Sequence, residues 1–147
     1  MSKQVDFYLI ANEVNDAKYK LASRLANKLL KLKQKTLILT ANSDATESLD
    51  NHLWSFSGTS FVAHDKADPD APSFIHIGIE SDINASDLEN NYAVMINLCE
   101  SIPVFNHHFQ RIAEIIEAQE SQKLLGRARY KAYREEGFEL KTHNIEL

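Results

Sequence analysis

Apolar residues arrive along the chain in short blocks, set apart by stretches in which they recur with helical spacing. Phe7–Ile10 is a compact run of aromatic and aliphatic residues, which predicts a buried strand. Ala22, Leu25, Ala26 and Leu29 then fall on one helical face, with Asn15 or Asp16 placed to cap the helix. Thr36–Thr40 predicts a second strand. Strand, long helix and strand make a βαβ unit, with parallel strands and a right-handed crossover. Ser43 or Asp44 is placed to cap a helix that runs to about Trp54. Phe61 and Val62 are apolar again after a polar turn, and the acidic, proline-containing stretch Asp65–Pro72 predicts a mobile loop. Ser73–Ile79 alternates as a strand does, and the nearly continuous hydrophobes of Tyr92–Leu98 predict a central strand covered on both faces. Asn106 reads as the cap of a helix carrying Phe109, Ile112, Ala113 and Ile116. A last helix is expected from about Ser121 to Glu136, stopped by Gly137, a residue able to adopt the left-handed conformation. The sum is one α/β domain over residues 1–147, with α/β/α layers about a mostly parallel sheet and neither repeat nor linker.

Composition narrows the chemistry. An apolar share of 44% and a charged share of 25% are those of a globular domain, and the net charge is -5. Binding along nucleic acid calls for a broad spread of Lys and Arg. An acidic chain therefore makes direct DNA binding an unfavoured reading and confines any basic surface to one region. Cys99 is the sole cysteine, which excludes an intramolecular disulfide and a multi-cysteine metal site and suits a reducing cytosol. No signal-peptide core or membrane-length apolar stretch occurs, so a cytoplasmic location without membrane contact is expected.

Catalytic chemistry finds little support. None of Gly58, Gly78, Gly126 and Gly137 belongs to a dinucleotide or P-loop motif, so the backbone donors of a phosphate cradle are missing. The adjacent His107 and His108 diverge by roughly 100° on a helix and do not converge on one metal. His64 and His76 read as packing or surface residues, and Cys99 as a small buried hydrophobe. Asp44, Glu47 and Asp50 have no accompanying base or nucleophile. The expectation is a non-catalytic protein without cofactor or metal; the rival is a small α/β nucleotide-binding protein or enzyme with an unrecognised site.

Two features carry a signal. In the last helix Lys123, Arg127, Lys131 and Arg134 fall within roughly 80° of arc, with Tyr130 beside them. Leu124, Leu125, Ala128 and Ala132 lie on the other side and are expected to dock on the sheet. A solvated face is the ordinary reading of such a stripe. Arg combined with an aromatic ring in an acidic chain favours instead a grip on an acidic peptide with a terminal carboxylate and a hydrophobic end residue. The second feature is the aromatic group Trp54, Phe56 and Phe61, which marks either an interface or the edge of the core.

At these residues the chain resembles the chi subunit of bacterial DNA polymerase III holoenzyme. The resemblance runs nearly end to end, and its most specific parts are Leu49–Asp65 (LDNHLWSFSGTSFVAHD) and Ala128–Phe138 (ARYKAYREEGF). It implies an adaptor without a reaction of its own. The partners implied are the psi subunit, through psi the clamp-loader complex, and the acidic C-terminal tail of single-stranded DNA-binding protein. Carried over by position, the tail site comprises Lys123, Arg127, Tyr130 and Gly137, with Ile116 as an apolar wall, and the psi-facing site comprises Trp54 and Phe61. Lys131 and Arg134 join the tail site from the helical arc. This chain departs from the family in having Ala63 after the Phe-Val pair, an acidic loop beyond it, and Glu135-Glu136 near the expected site.

Overall fold

The structure, a computed structural model, describes residues 3–55, 63–68, 70–88 and 91–147. Its elements in chain order are β1 (Gln4–Ile10), α1 (Ala17–Lys31), β2 (Thr36–Thr40), α2 (Ser43–Trp54), β3 (His64–Lys66), β4 (Ile75–Ile79), β5 (Val94–Asn97), β6 (Arg111–Ile116), α3 (Glu120–Glu135) and β7 (Glu139–Ile145). The described strands form one seven-stranded sheet in the order β3-β4-β2-β5-β6-β1-β7, and every pairing is parallel. β1 and β2 are thus parallel, as the βαβ pattern requires, with β5 and β6 between them.

Every residue of β2 and β5 is buried, because helices cover both faces of the inner sheet. α1 and α2 bury Leu21, Ala22, Ala26, Leu49 and Leu53 on one face, against Ile38, Ile77, Ile96, Ala113 and Ile115. On the other face α3 contributes Tyr133, which packs with Val5, Phe7, Leu37, Leu39, Met95, Phe109 and Ile112. The two sheet edges differ. β3 is only three residues long, whereas β7 runs seven residues with charged and polar side chains largely outward, a composition that discourages further strand pairing.

Helix ends are set by local chemistry. Asn42, not Ser43 or Asp44, caps α2, its side chain accepting a bond from the Ala45 amide. Asp16 precedes α1 in a left-handed conformation and makes no side-chain capping bond. α3 ends as expected: Gly137 has φ 90°, its amide donates to Arg134, and the Phe138 amide donates to Tyr133. The Phe138 ring then packs 5.3 Å from that of Tyr133, closing the helix with the hydrophobic contact typical of such a stop.

Two expectations are corrected. The segment after Asn106 is not a helix: Asn106–His108 is one 3-10 turn and Arg111–Ile116 is β6. Phe109, Ile112, Ala113 and Ile116 met a helical spacing because the whole stretch from Ile112 to Ile116 is buried, and a strand covered on both faces loses its alternation. Slots beside β1 and β5 favour the strand, where the branched Ile112, Ile115 and Ile116 pack well. The expected Asp65–Pro72 loop begins inside a strand, since Asp65 and Lys66 pair with β4.

Candidate functional site

α3 docks with Gly126, Arg129 and Tyr133 buried. This corrects the expectation for Leu124, Leu125, Ala128 and Ala132: Leu124 and Ala128 are exposed, Leu125 and Ala132 half-buried. The helix is rotated because a buried ionic network, not an aliphatic stripe, faces the sheet. Arg129 Nε donates to Glu114 Oε1 at 2.9 Å and its Nη1 to the Glu100 carbonyl at 2.7 Å. Tyr133 Oη and Asn97 Nδ2 donate to Glu114 Oε2 at 2.7 and 2.8 Å. Burial pushes the Glu114 carboxyl upward, opposed by the Arg129 charge and by those donors. Burial also raises the Tyr133 hydroxyl, so Tyr133 remains a donor. No buried side-chain polar atom among the described residues lacks a hydrogen-bond partner.

This anchoring leaves a cavity of about 260 Å³ beneath α3, between Lys123 and Tyr130. Its walls are Phe7, Leu9 and Ile10 of β1, Ile116 of β6, and Gly126 and Tyr130 of α3. The Tyr130 ring lies 5.1 Å from that of Phe7, tilted by 55°. Lys123 and Arg127 supply cations at the lining, Glu117 a carboxylate and Thr142 a hydroxyl. Lys123 makes only a surface ion pair with Glu120, 3.7 Å away, a contact worth little in water. Arg127 has no ion-pair partner among the described residues, and its guanidinium is available to a ligand.

Four of the residues expected at the tail site are thus brought together: Ile116, Lys123, Arg127 and Tyr130. Lys131 and Arg134 are exposed on α3 and do not line the cavity, and Gly137 lies at the helix stop. Glu136 stands nine residues beyond Arg127, roughly 14 Å along the helix axis, and accepts a bond from Asn106. Trp54 ends α2 with 59% of its surface exposed and meets the His64 ring edge-on. Phe61, like Phe56, lies outside the described residues.

Sequence reasoning missed Phe7, Leu9, Ile10 and Gly126 in the cavity, and Glu114 and Arg129 beneath it. A glycine in mid-helix was the available signal for Gly126, because it costs about 1 kcal/mol there and so points to close packing. For the network, the signal was a lone acid in the apolar run RIAEII together with an arginine off the basic stripe.

A larger crevice of about 1150 Å³ opens at the carboxyl ends of β2, β3 and β4. Glu47, Asp50, Asp65, Asp68 and Asp82 line it alongside Lys66 and His64. That excess of carboxylates repels phosphate groups, against the nucleotide-binding alternative. His76, in β4, is fully buried and bonded to the Tyr92 hydroxyl and the Ser73 carbonyl. Cys99 is half-buried, and burial pushes its thiol up to about 11, far from a reactive thiolate.

Comparison with known proteins identifies relatives of nearly full length. A family model described as DNA polymerase III chi subunit, HolC, matches residues 1–141. DNA polymerase III subunit chi of Pseudomonas aeruginosa is 32% identical over 143 residues, 97% of this chain and 96% of that protein. The subunit of the same name from Haemophilus influenzae is 27% identical over 147 residues, 99% of each chain. That from Escherichia coli K12 is 28% identical over 144 residues, 95% of this chain and 97% of that protein. The crystal structure of T4 UvsW shares the fold alone, with a TM-score of 0.68 at 8% identity, over 98% of this chain and 41% of that one.

Proposed function

The chain belongs to the DNA polymerase III chi subunit family, and on that premise we propose that its α3 cavity docks the acidic C-terminal tail of single-stranded DNA-binding protein. Membership places the chain in DNA replication as a subunit of DNA polymerase III. The adaptor role is the finer reading: one end holds the psi subunit, and through it the clamp loader, while the α3 cavity holds the coating protein on template DNA. The chain then has no reaction of its own.

The observation that carries the reading is an apolar cavity with two cations at its lining, one of them unpaired. The terminal side chain of a docked tail fills the space between Phe7, Ile116 and Tyr130. Arg127 forks onto a carboxylate with Lys123 beside it. An exposed ion pair contributes about 0–1 kcal/mol, so several such contacts and one buried side chain give modest, salt-sensitive binding. Such affinity lets a moving polymerase release one coating protein and take the next. The psi subunit is assigned to Trp54, because an exposed indole at a helix end suits an interface anchor.

Two variants test the division of labour. Arg127→Ala should weaken binding of an acidic tail peptide, read by fluorescence anisotropy, and leave co-purification with psi intact. Trp54→Ala should do the reverse. Unchanged peptide affinity in Arg127→Ala removes the tail from this cavity.

A further inference from the structure

Between Asp16 and Asp44 the chain carries seven of its 16 Lys and Arg and none of its 21 Asp and Glu. The net charge of -5 therefore conceals a segregation, with α1 strongly basic and the remainder more acidic than the total. A bound ion responds to charges within about 10 Å at 0.1 M salt, not to the sum over the molecule. Lys20, Arg24, Lys28 and Lys31 of α1 are all exposed. Separations of 4, 4 and 3 positions place them within roughly 80° of arc, on the side away from the buried Ala22 and Ala26. None of the four forms an ion pair among the described residues.

Helix stability does not account for this stripe. Like charges four positions apart repel. The first turn, where the helix dipole favours acids, holds Lys18 and Lys20 and no acid. α3, by contrast, sets Glu120 in its first turn and pairs it with Lys123. A local rule broken without local gain points to a use elsewhere. We propose that the exposed stripe of α1 binds the phosphodiester backbone of single-stranded DNA, on the sheet face opposite the α3 cavity. Three of its four cations are Lys, point charges that suit dispersed phosphates, whereas the forked grip on carboxylates belongs to Arg. The stripe runs roughly 16 Å along the helix, the length of about five phosphates at about 3.4 Å each. A flexible strand follows such a row, while a stiff duplex carries its phosphates onward over the acidic surface. The stripe contains no aromatic ring, so it does not stack bases or read sequence. Membership in DNA polymerase III keeps a DNA strand within reach. The proposal does not depend on the tail reading.

The test titrates the full chain into fluorescein-labelled dT15, read by anisotropy. Neutralising four phosphates gives a log–log salt slope of about -3, so Kd should rise roughly fifty-fold between 50 and 200 mM NaCl. Lys20→Gln/Arg24→Gln/Lys28→Gln/Lys31→Gln should weaken binding at 50 mM NaCl more than tenfold. Each single Gln variant should reduce the slope by about 0.7, which keeps the proposal testable if thermal melts show the quadruple variant unfolded. Lys131→Gln/Arg134→Gln on α3 should bind as wild type does, and a 15-base-pair duplex should bind more weakly than dT15. Absence of binding at 50 mM NaCl overturns the proposal, as do single variants with the wild-type slope. Equal loss in the α3 variant, or equal affinity for the duplex, also overturns it. Displacement of dT15 by an equal concentration of an oligo-aspartate peptide overturns it in favour of an acidic protein partner.

Discussion

The two faces of the sheet are held by different means. Under α1 and α2 the contact is hydrocarbon on hydrocarbon, with Leu21, Leu49 and Leu53 seated on Ile38, Ile77 and Ile96. Under α3 it is hydrocarbon around a charge pair, Arg129 and Glu114, whose side chains are 6% and 0% exposed. The first face also buries a charge, Asp6, yet its partners Arg111 and His143 keep 55% and 41% of their side chains in water. Solvated partners relax at little cost when a bond is lost, and dry ones do not. Apolar contact tolerates small sliding, whereas a network with fixed donors sets the helix in one register. The face that carries the α3 cavity is the one with fixed register, which holds Arg127, Tyr130 and Gly126 in constant relation.

That contrast is open to attack at its strongest point. Arg129→Met leaves the Glu114 carboxylate buried without its cation and should cost roughly 3–5 kcal/mol in urea denaturation. Burial already raises the Glu114 carboxyl. Without the guanidinium, the folded state holds a proton that the unfolded chain releases. The variant's stability should therefore fall as pH rises above the ordinary carboxylate range. Leu49→Ala on the opposite face should cost about 3 kcal/mol by leaving a cavity, and that loss should not change with pH.

A smaller effect comes from His76, also on the α3 side of the sheet. Burial holds its imidazole below the usual 6.5, with the Lys35 charge acting in the same direction. The ring is neutral in the fold: Nε2–H donates to the Ser73 carbonyl, so Nδ1 accepts from Tyr92. A base with a depressed folded-state pKa contributes stability above 6.5. That contribution is lost as pH falls below 6.5 toward the folded-state value and levels off beneath it. Melting temperatures across this window should slope in wild type and in Leu49→Ala, and the slope should shrink in His76→Gln. The least effect belongs to Leu124→Gln. With 62% of its surface exposed, Leu124 should change stability by less than about 0.5 kcal/mol. A larger loss would mean that α3 sits on its aliphatic side after all.

Legibility in the sequence followed how much of each segment one face could explain. α1, β2, β5 and α3 were readable because their patterns were long or continuous. β6 was misread because burial on both faces removed its period. The α3 cavity was half legible: charge spacing on α3 picked out Lys123, Arg127 and Tyr130 of its lining. Phe7, Leu9 and Ile10 come from β1, more than a hundred residues upstream, and helical spacing carries no information about such a neighbour.

The amino-acid order alone decided the class of fold, the basic arc of α3, the stop at Gly137 and the absence of a phosphate-binding loop, all of which depend on residues within a turn or two of one another. Tertiary packing decided which side of α3 meets the sheet, which cations border a cavity, and how closely the helix approaches Ile116. Those outcomes depend on burying Arg129 only where Glu114, Asn97 and Tyr133 converge. A buried charge is stable only with its partner, and that partner belongs to a different strand.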